Sequence, residues 1–237
     1  MRTLVVGGSS GLGLAIGTQL SELNHELIMM GRRPLDQLHS IPRNAQYRCA
    51  DASDPLSITS AFDELAPNNL FLVAAAGLYL PADLSVAYED LQSLFNIDAV
   101  APIAWLLQAA HKLPPGGRIG WISSLSSRLP AGRWAVYAAC KTAVEHFIWS
   151  TAPLMKERKL TVTICYPGQL QTTFHAAARA PRPTRAVDPR LVAPELVSAV
   201  LAGAPRYVAP MDRDLLTRLD AMTMATLAAT DPSEILK

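Results

Sequence analysis

The sequence predicts a doubly wound α/β fold, in which helices cover both faces of a mostly parallel, seven-stranded sheet. Half of the 237 residues are hydrophobic, so the chain can bury a large core. Apolar runs of strand length alternate with longer segments of helical spacing, and a glycine-rich turn joins the first run to the first helical segment. Because no linker or repeat divides the chain, we expect residues 1–237 to form a single domain.

Seven apolar runs have the length and composition of strands. Together they would make a large open sheet. The predicted strands cover residues 3–6, 26–30, 46–49, 70–74, 118–122, 161–165 and 206–209.

The segments between these strands have helical spacing. Pro34, Pro55 and Pro194 are expected in first-turn positions, where a proline removes no helical hydrogen bond. Residues 212–230 follow the last strand, are also helical in spacing, and are expected to pack on the domain or to form an interface. The other predicted helices cover residues 12–23, 55–65, 88–112, 134–156 and 194–202.

Charge and cysteine content favour a small-molecule ligand and exclude several other classes. A net charge of +1, from 21 Lys+Arg and 20 Asp+Glu, lacks the basic excess of nucleic-acid-binding domains. Cys49, Cys140 and Cys165 form no C-x-x-C pair or cluster with histidine, so we expect neither a disulfide framework nor a bound metal. No apolar run reaches the roughly 18–20 residues of a membrane span, and the N-terminus lacks a convincing signal-peptide cleavage site. We therefore expect a cytoplasmic protein.

The turn after the first strand has the composition of a phosphate-binding loop. Its glycines follow the spacing G-x-x-x-G-x-G and lead into an amphipathic helix. Such glycines let a dinucleotide pyrophosphate approach backbone N–H groups at the positive end of the helix. The alternative is a plain turn between strand and helix. The candidate cofactor-binding residues of this loop are Gly7, Ser9, Ser10, Gly11, Leu12 and Gly13.

The second predicted strand ends in Gly31, Arg32 and Arg33, with no carboxylate. In dinucleotide folds an acidic side chain at this position binds the adenosine ribose, whereas an arginine accommodates a 2′-phosphate. A guanidinium group suits phosphate, so NADP(H) is favoured over NAD(H). The alternative is a pair of solvated arginines on a loop.

Tyr137 and Lys141 are four residues apart, so a helix places them on one face. Ser124 ends the fifth predicted strand, thirteen positions before Tyr137. Hydride delivery to a carbonyl builds negative charge on oxygen, and a positioned acid must protonate it. A neighbouring lysine favours the phenolate of a tyrosine, and a serine hydroxyl can donate to the substrate oxygen. This set of residues therefore predicts carbonyl–alcohol chemistry.

The glycine loop, the strand-end serine and Y-x-x-x-K, in this order, resemble the classical short-chain dehydrogenase/reductase family, and the resemblance extends to about Ala209. Val6 stands where the family usually has threonine. The resemblance implies a Rossmann-type fold, an NADP(H)-dependent oxidoreductase, and Lys141 as the residue that holds the nicotinamide ribose. It also implies a homodimer or homotetramer that pairs through the helices after the fourth and fifth strands.

Three further segments match cofactor-binding positions of the family. Asp51, followed by Ala52, matches the carboxylate that meets the adenine amino group, although a helix-capping aspartate has the same appearance. The segment after the sixth strand resembles P-G-x-x-x-T, which orients the nicotinamide carboxamide, although a Pro-Gly turn is the alternative. The residues implied by the resemblance are Asp51, Ala52, Ala75, Ala76, Gly77, Pro167, Gly168, Leu170 and Thr172.

The sequence departs from the family at two places. The family's N-N-A-G is replaced by residues 74–77, A-A-A-G, which removes an amide that ties down the sheet. Alignment sets Asp98 at the position of the family's catalytic asparagine, with Asn96 as the competing assignment. A carboxylate near Lys141 would stabilise the ammonium and partly offset its pull on the Tyr137 proton. An ordinary helix aspartate is the alternative.

Residues 175–190 contain three prolines and four arginines, so we expect a mobile lid over the substrate, covering about residues 173–192 and poorly ordered without ligand. Its arginines would meet an anionic substrate or carrier, or only solvate the loop, which is the favoured interpretation. His175 could reach the substrate cleft, although a solvated loop residue is the favoured interpretation. Two other functions remain: a non-catalytic dinucleotide-binding sensor or assembly protein, and a non-reductive isomerase or cyclase. The lid arginines are Arg179, Arg182, Arg185 and Arg190.

Overall fold

The computed structural model describes residues 1–38 and 40–229 of the chain. Its sheet has seven parallel strands in the order β3-β2-β1-β4-β5-β6-β7, which confirms the predicted doubly wound fold. Each predicted strand is present, and the bounds differ from the prediction by at most two residues. The strands are β1 (Arg2–Val6), β2 (Glu26–Gly31), β3 (Ala45–Cys49), β4 (Asn69–Leu72), β5 (Arg118–Ile122), β6 (Thr161–Tyr166) and β7 (Arg206–Val208).

The helices follow the strands in the expected alternation. Four short 3₁₀ turns cover Leu35–Gln37, Leu125–Arg128, Gly132–Trp134 and Pro210–Asp212. The α-helices are α1 (Gly11–Glu22), α2 (Pro55–Leu65), α3 (Tyr88–Phe95), α4 (Ala101–Lys112), α5 (Ala135–Glu157), α6 (Phe174–Ala177), α7 (Pro189–Ala202) and α8 (Arg213–Ala229).

The prediction that three prolines occupy first-turn positions of helices is confirmed only in part. Asp54 caps α2 by accepting from the Leu56 and Ser57 amides, and Pro55 follows in the first turn as predicted. The prediction for Pro194 was wrong, because α7 already begins at Pro189 and Pro194 lies inside the helix. Pro34 precedes only a 3₁₀ turn.

Two layers of apolar side chains hold the helices on the sheet. On one face, Leu12 and Ile16 of α1 pack with Leu196 of α7. On the other face, α2, α4 and α5 cover a core that includes Trp105 and Trp121. The stretch Tyr88–Lys112 is long and apolar enough to cross a membrane by length and composition alone, but Trp105 lies buried in this core.

The predicted continuous helix 88–112 is interrupted. Residues Asn96–Val100 form one π-helical turn between α3 and α4. Pro102 lies four residues after Asp98 and has no N–H, so the regular hydrogen bond to the Asp98 carbonyl cannot form. The wider turn leaves Asn96 exposed and Asp98 fully buried.

The segment from Thr172 to α7 contains one helical turn and several packing contacts. Its start forms the single turn α6, and Ala178 is buried. Leu170 forms a parallel bridge with Val187, which fastens the end of the segment to the β6 loop. The segment expected to be a loop thus contains one helical turn, while the mobility of the lid stays a prediction.

Candidate active site

The loops that follow β1, β4 and β6 meet at the carboxyl edge of the sheet, where open α/β sheets bind their ligands. A Cβ on Gly7 would lie 2.5 Å from the Ala74 amide nitrogen. A Cβ on Gly11 would lie 3.0 Å from Cγ2 of Thr172. These close approaches place the glycine loop between the other two loops.

The glycine loop has the backbone of an anion-binding turn. Gly7 has a φ of +87°, and a Cβ on Gly13 would lie 2.1 Å from the Gly7 carbonyl oxygen, so neither position accepts a side chain. Helix α1 begins at Gly11, and the Ser10 side chain does not cap it. Its first amides therefore point out of the helix end, as a pyrophosphate requires.

The end of β2 presents positive charge. Arg32 and Arg33 are both exposed, and the Tyr47 hydroxyl donates to the Arg33 carbonyl at 2.8 Å. The Tyr47 hydroxyl also hydrogen-bonds Ser9 of the glycine loop. Tyr47 thus ties the two arginines to the loop that would bind phosphate, a role that its position in a strand does not reveal.

Asp51 and Ala52 lie in the loop after β3. The Asp51 carboxylate accepts from the Ser53 amide at 2.8 Å and from the Ser53 hydroxyl at 2.7 Å. These bonds, chiefly the amide, lower the pKa of Asp51, and the charge of Arg32 adds to the effect. The Ala52 carbonyl accepts from the Trp105 indole at 2.9 Å, which anchors the loop.

Ser124, Tyr137 and Lys141 come together at the end of β5 and the start of α5. The Ser124 and Tyr137 hydroxyls hydrogen-bond each other. The Lys141 ammonium lies 5.4 Å from the centres of both the Tyr137 and the Trp121 rings. Since only 1% of Lys141 is exposed, its charge acts in a nonpolar environment, where it is strongly felt.

Asp98 lies beside these groups, as its alignment predicts. Its Oδ1 accepts from the Ala76 amide at 2.8 Å, while Oδ2 is buried with no hydrogen-bond partner among the described residues. Burial raises the pKa of Asp98, and the charge of Lys141 counteracts part of this rise. The Ala76 bond joins the A-A-A-G segment to the π-helical turn.

The surroundings of the Tyr137 phenol raise its pKa. Burial raises its pKa, the carboxylate of Asp98 raises it further, and the hydrogen bond with Ser124 lowers it. A protonated phenol can donate to a substrate oxygen, so the described state suits the acid role of Tyr137.

A second buried carboxylate, that of Glu145, supports the serine loop and was missed by sequence reasoning. Its Oε1 accepts from the Ser123 hydroxyl and lies 2.6 Å from the Ser127 hydroxyl. The Tyr166 hydroxyl also bonds to Glu145. Glu145 continues the four-residue spacing of Tyr137 and Lys141 along α5, and this was the available signal.

The Pro167–Thr172 segment closes the remaining side of the site. Gly168 has a φ of +74°, and a Cβ there would lie 2.8 Å from Oδ2 of Asp212. The Thr172 hydroxyl accepts from the Phe174 amide at 3.3 Å and so starts α6. Pro167 and Leu170 are buried, and Ala75 and Gly77 lie on the opposite loop.

An aromatic cluster covers the Tyr137 phenol. In it, the Phe174 ring stacks on Trp134, with centres 5.6 Å apart and planes 13° apart, and lies 5.4 Å from the Tyr137 ring. The prediction that His175 is solvated was wrong, because its ring packs edge-on against Trp134 at 5.5 Å. The members of the aromatic cluster are Tyr79, Trp134, Tyr137, Phe174 and His175.

Comparison with known proteins finds one family and several similar structures. The sequence model of the short chain dehydrogenase family matches residues 2–183. The cyclic-di-GMP-binding biofilm dispersal mediator protein of Escherichia coli is 27% identical, over 73% of this chain and 75% of its own length. The NADPH-dependent aldehyde reductase-like protein of Arabidopsis thaliana is also 27% identical, over 75% of each chain.

Among solved structures, a short chain dehydrogenase from Burkholderia cenocepacia in complex with NADP superposes with a TM-score of 0.73. It is 26% identical, and the match covers 88% of this chain and 95% of that one. The matched part therefore includes nearly the whole of a known domain of this fold.

Proposed function

The chain belongs to the short-chain dehydrogenase family of oxidoreductases, and on this premise we propose that it interconverts a carbonyl compound and an alcohol by NADP(H)-dependent hydride transfer. One observation carries the proposal. Ser124 and the Tyr137–Lys141 pair, which come from two separate sequence motifs, form a single cluster in which Tyr137 and Lys141 are buried.

The residues present fit a phosphorylated dinucleotide. The glycine loop and the free amides of α1 suit its pyrophosphate, and Arg32 and Arg33 supply the charge for a 2′-phosphate. Lys141 and the Pro167–Thr172 segment would hold the nicotinamide end. The names of one relative and one superposed structure include NADPH and NADP, which supports this preference.

When bound, the cofactor supplies or accepts the hydride, and the side chains of this chain manage the proton. Ser124 and Tyr137 both carry hydroxyls that can donate to one carbonyl oxygen. Tyr137 transfers its proton to the oxygen as negative charge develops there. Lys141 stabilises the phenolate that remains, and the buried setting strengthens this attraction.

Replacement of the acid tests the chemistry. Tyr137→Phe should lower kcat by about 10²–10⁴-fold, the usual contribution of general acid–base groups. NADPH binding, measured by fluorescence titration, should stay within about twofold, because the ribose contacts of Lys141 remain. Tyr88→Phe, at an exposed tyrosine of α3, is the matched control. Full turnover by Tyr137→Phe would show that Tyr137 is not the acid and would favour a non-reductive reaction.

Cofactor choice has its own test. Arg32→Ala/Arg33→Ala should weaken NADPH binding by about tenfold or more, because charge-assisted bonds to the phosphate are lost, and should leave NADH binding unchanged. Arg43→Ala, at another exposed arginine, controls for net charge. Equal affinities of the unaltered protein for both cofactors would refute the NADP(H) assignment.

The same experiments separate the enzyme from a binding protein. The name of the Escherichia coli relative describes a nucleotide-binding mediator, which keeps a non-catalytic function in consideration. A sensor would bind NADPH and be indifferent to Tyr137→Phe in every assay. The buried phenol–lysine–serine cluster supports the enzyme, since a mere binder has no need of it.

We also propose a homo-oligomer. The outer faces of α4 and α5 expose large apolar side chains, which are Leu107, Trp149 and Leu154. Such side chains favour a self-complementary helix pair. A monomeric mass by light scattering at micromolar concentration would refute the proposal.

A further inference from the structure

The position of Phe174 indicates the kind of molecule that reaches the catalytic phenol. Its ring lies against the Tyr137 ring and stacks face to face on Trp134. A Cβ on Gly77 would lie 2.9 Å from Cζ of Phe174, so the ring also rests on the loop after β4. The ring therefore fills a flat space that is bounded by an indole face, the phenol and a glycine.

Phe174 is held less firmly than the walls of this space. It begins α6, which is a single helical turn of four residues, while Trp134 and Tyr137 stand at the start of the 23-residue helix α5. The Phe174 amide is tied to Thr172 by a bond of 3.3 Å, near the limit for a hydrogen bond. A small movement of α6 would thus remove the ring and leave the walls in place.

The His175 ring places a polar atom at the edge of the same space. The His175 ring packs edge-on against both Trp134 and Phe174. Its Nδ1 is buried and has no hydrogen-bond partner in the described part of the chain. A buried nitrogen without a partner is unfavourable, and a polar substituent on an incoming ring would satisfy it.

Two arginines of the surrounding segments are already engaged. The Arg133 guanidinium lies 4.3 Å above the centre of the Tyr79 ring, and it donates to the Leu80 carbonyl. Arg190, at the far end of the segment, pairs with Asp188. The side of the space formed by Trp134, Tyr137 and Phe174 is therefore aromatic, and contacts within the chain already occupy these two arginines.

Resting on the function proposed above, we propose that the substrate has a planar aromatic ring close to its carbonyl group, and that this ring takes the place of the Phe174 side chain. Trp134 would stack on the ring, His175 would bind a polar substituent, and the carbonyl would meet Tyr137. A saturated ring of equal size would lose the stacking and could not replace the aromatic contacts that it breaks.

A binding experiment without turnover tests the site directly. The NADPH-loaded protein is titrated by calorimetry with 2-naphthol and with its saturated counterpart 2-decalol, neither of which NADPH can reduce. We expect 2-naphthol to bind about tenfold more tightly, because aromatic contacts add to the burial of area. Equal dissociation constants would overturn the proposal.

Two variants test the roles of the walls and of Phe174. Phe174→Ala should tighten 2-naphthol binding several-fold, because the ring that competes for the space is gone, and Trp134→Leu should weaken it about tenfold. Phe95→Ala, at an exposed phenylalanine of α3, should change neither constant. Weaker binding by both Phe174→Ala and Phe174→Leu, with NADPH binding intact, would show that Phe174 is a wall and would overturn the displacement.

Turnover separates the failure of this inference from failure of the proposed function. NADPH oxidation is followed with 2-tetralone and with 2-decalone, whose carbonyls are not conjugated and have similar intrinsic reactivity. We expect kcat/KM to be about tenfold higher for 2-tetralone. Equal kcat/KM values for the two ketones would overturn the aromatic site and would still support the proposed reductase activity. If neither ketone is turned over while 2-naphthol binds tightly, the reductase activity would be refuted and the binding site for an aromatic ring would still be supported.

Discussion

Two buried carboxylates flank the cluster of Ser124, Tyr137 and Lys141, and they are held in opposite ways. Glu145 has hydroxyl groups around it, from Ser123, Ser127 and Tyr166. Asp98 has one amide on Oδ1 and leaves Oδ2 without a partner in the described residues. Both acids lie within the same core and belong to helices that pack on each other.

This difference separates Glu145, which we call the supporting acid, from Asp98, which we call the tuning acid. A carboxylate with several donors is stabilised by its own neighbours, so it can fix the geometry of the loop that carries Ser124. The charge of a carboxylate with an unpaired oxygen is less compensated by hydrogen bonds, so it acts more strongly on neighbouring groups. For Asp98 these groups are Lys141 and Tyr137. Polar groups that are left unsatisfied by the fold are typical of functional sites.

The largest expected effect follows from removal of the supporting acid. Glu145→Ala should lower the free energy of unfolding by about 3 kcal/mol, because buried hydroxyls lose their acceptor. It should also lower kcat. The Ser127 hydroxyl lies 2.6 Å from the Ser124 carbonyl, so a shift of Ser127 after the loss of Glu145 would also displace Ser124. Urea unfolding and steady-state kinetics measure both.

Glu145→Gln is the matched control, because its Oε1 can still accept from Ser123 and Ser127. It should cost about 1 kcal/mol of stability and restore most of the kcat lost in Glu145→Ala. If Glu145→Ala lost less than about 0.5 kcal/mol, Glu145 would not be a support, and the contrast with Asp98 would fail.

The tuning acid should reveal itself in the pH dependence of stability. Burial raises the pKa of Asp98, so its contribution to stability is fully present below the unfolded pKa of about 3.9 and is lost as the pH rises through the folded pKa. The stability of Asp98→Asn relative to the unaltered protein should therefore increase between about pH 4 and pH 7. Urea unfolding at three pH values in this window tests the sign, and a constant difference would contradict it.

The same substitution should shift the pH profile of alcohol oxidation. In that direction Tyr137 must lose its proton, and the charge of Asp98 raises the pKa of Tyr137. Asp98→Asn should therefore move the rise of kcat to lower pH. Asp90→Asn, in the exposed first turn of α3, controls for net charge. An unchanged profile would mean that the Asp98 charge does not reach the phenol.

The two acids also differ in how far the sequence could predict them. The position of Asp98 follows from alignment of one motif, and the competing Asn96 is exposed in the structure. Glu145 belongs to no motif, and its importance depends on Ser123, Ser127 and Tyr166, which come from other elements. Contacts between distant segments leave no local pattern, so only its spacing from Lys141 pointed to it.

The strands and the glycine loop were predictable because local composition determines them. Residues 174–178 were not, because the prolines and arginines that follow dominate the composition of the segment. The burial of Phe174 and His175 depends on Trp134, forty residues earlier in the chain for Phe174. A turn of helix that is stabilised only by such remote contacts has no periodic signal of its own.

The smallest expected effect concerns the turn that carries Asp98. Pro102 prevents a regular hydrogen bond to the Asp98 carbonyl, and the π-helical turn Asn96–Val100 directs the carboxylate into the core. Pro102→Ala restores the missing N–H and permits a regular α-helix. The carboxylate would then move relative to Ala76, and kcat/KM should fall by about threefold while stability changes by less than about 1 kcal/mol. Pro114→Ala, at an exposed proline after α4, should leave both unchanged. An unaltered kcat/KM in Pro102→Ala, with the pH effect of Asp98→Asn intact, would show that packing on α5 alone positions Asp98 and that the proline only accommodates the turn.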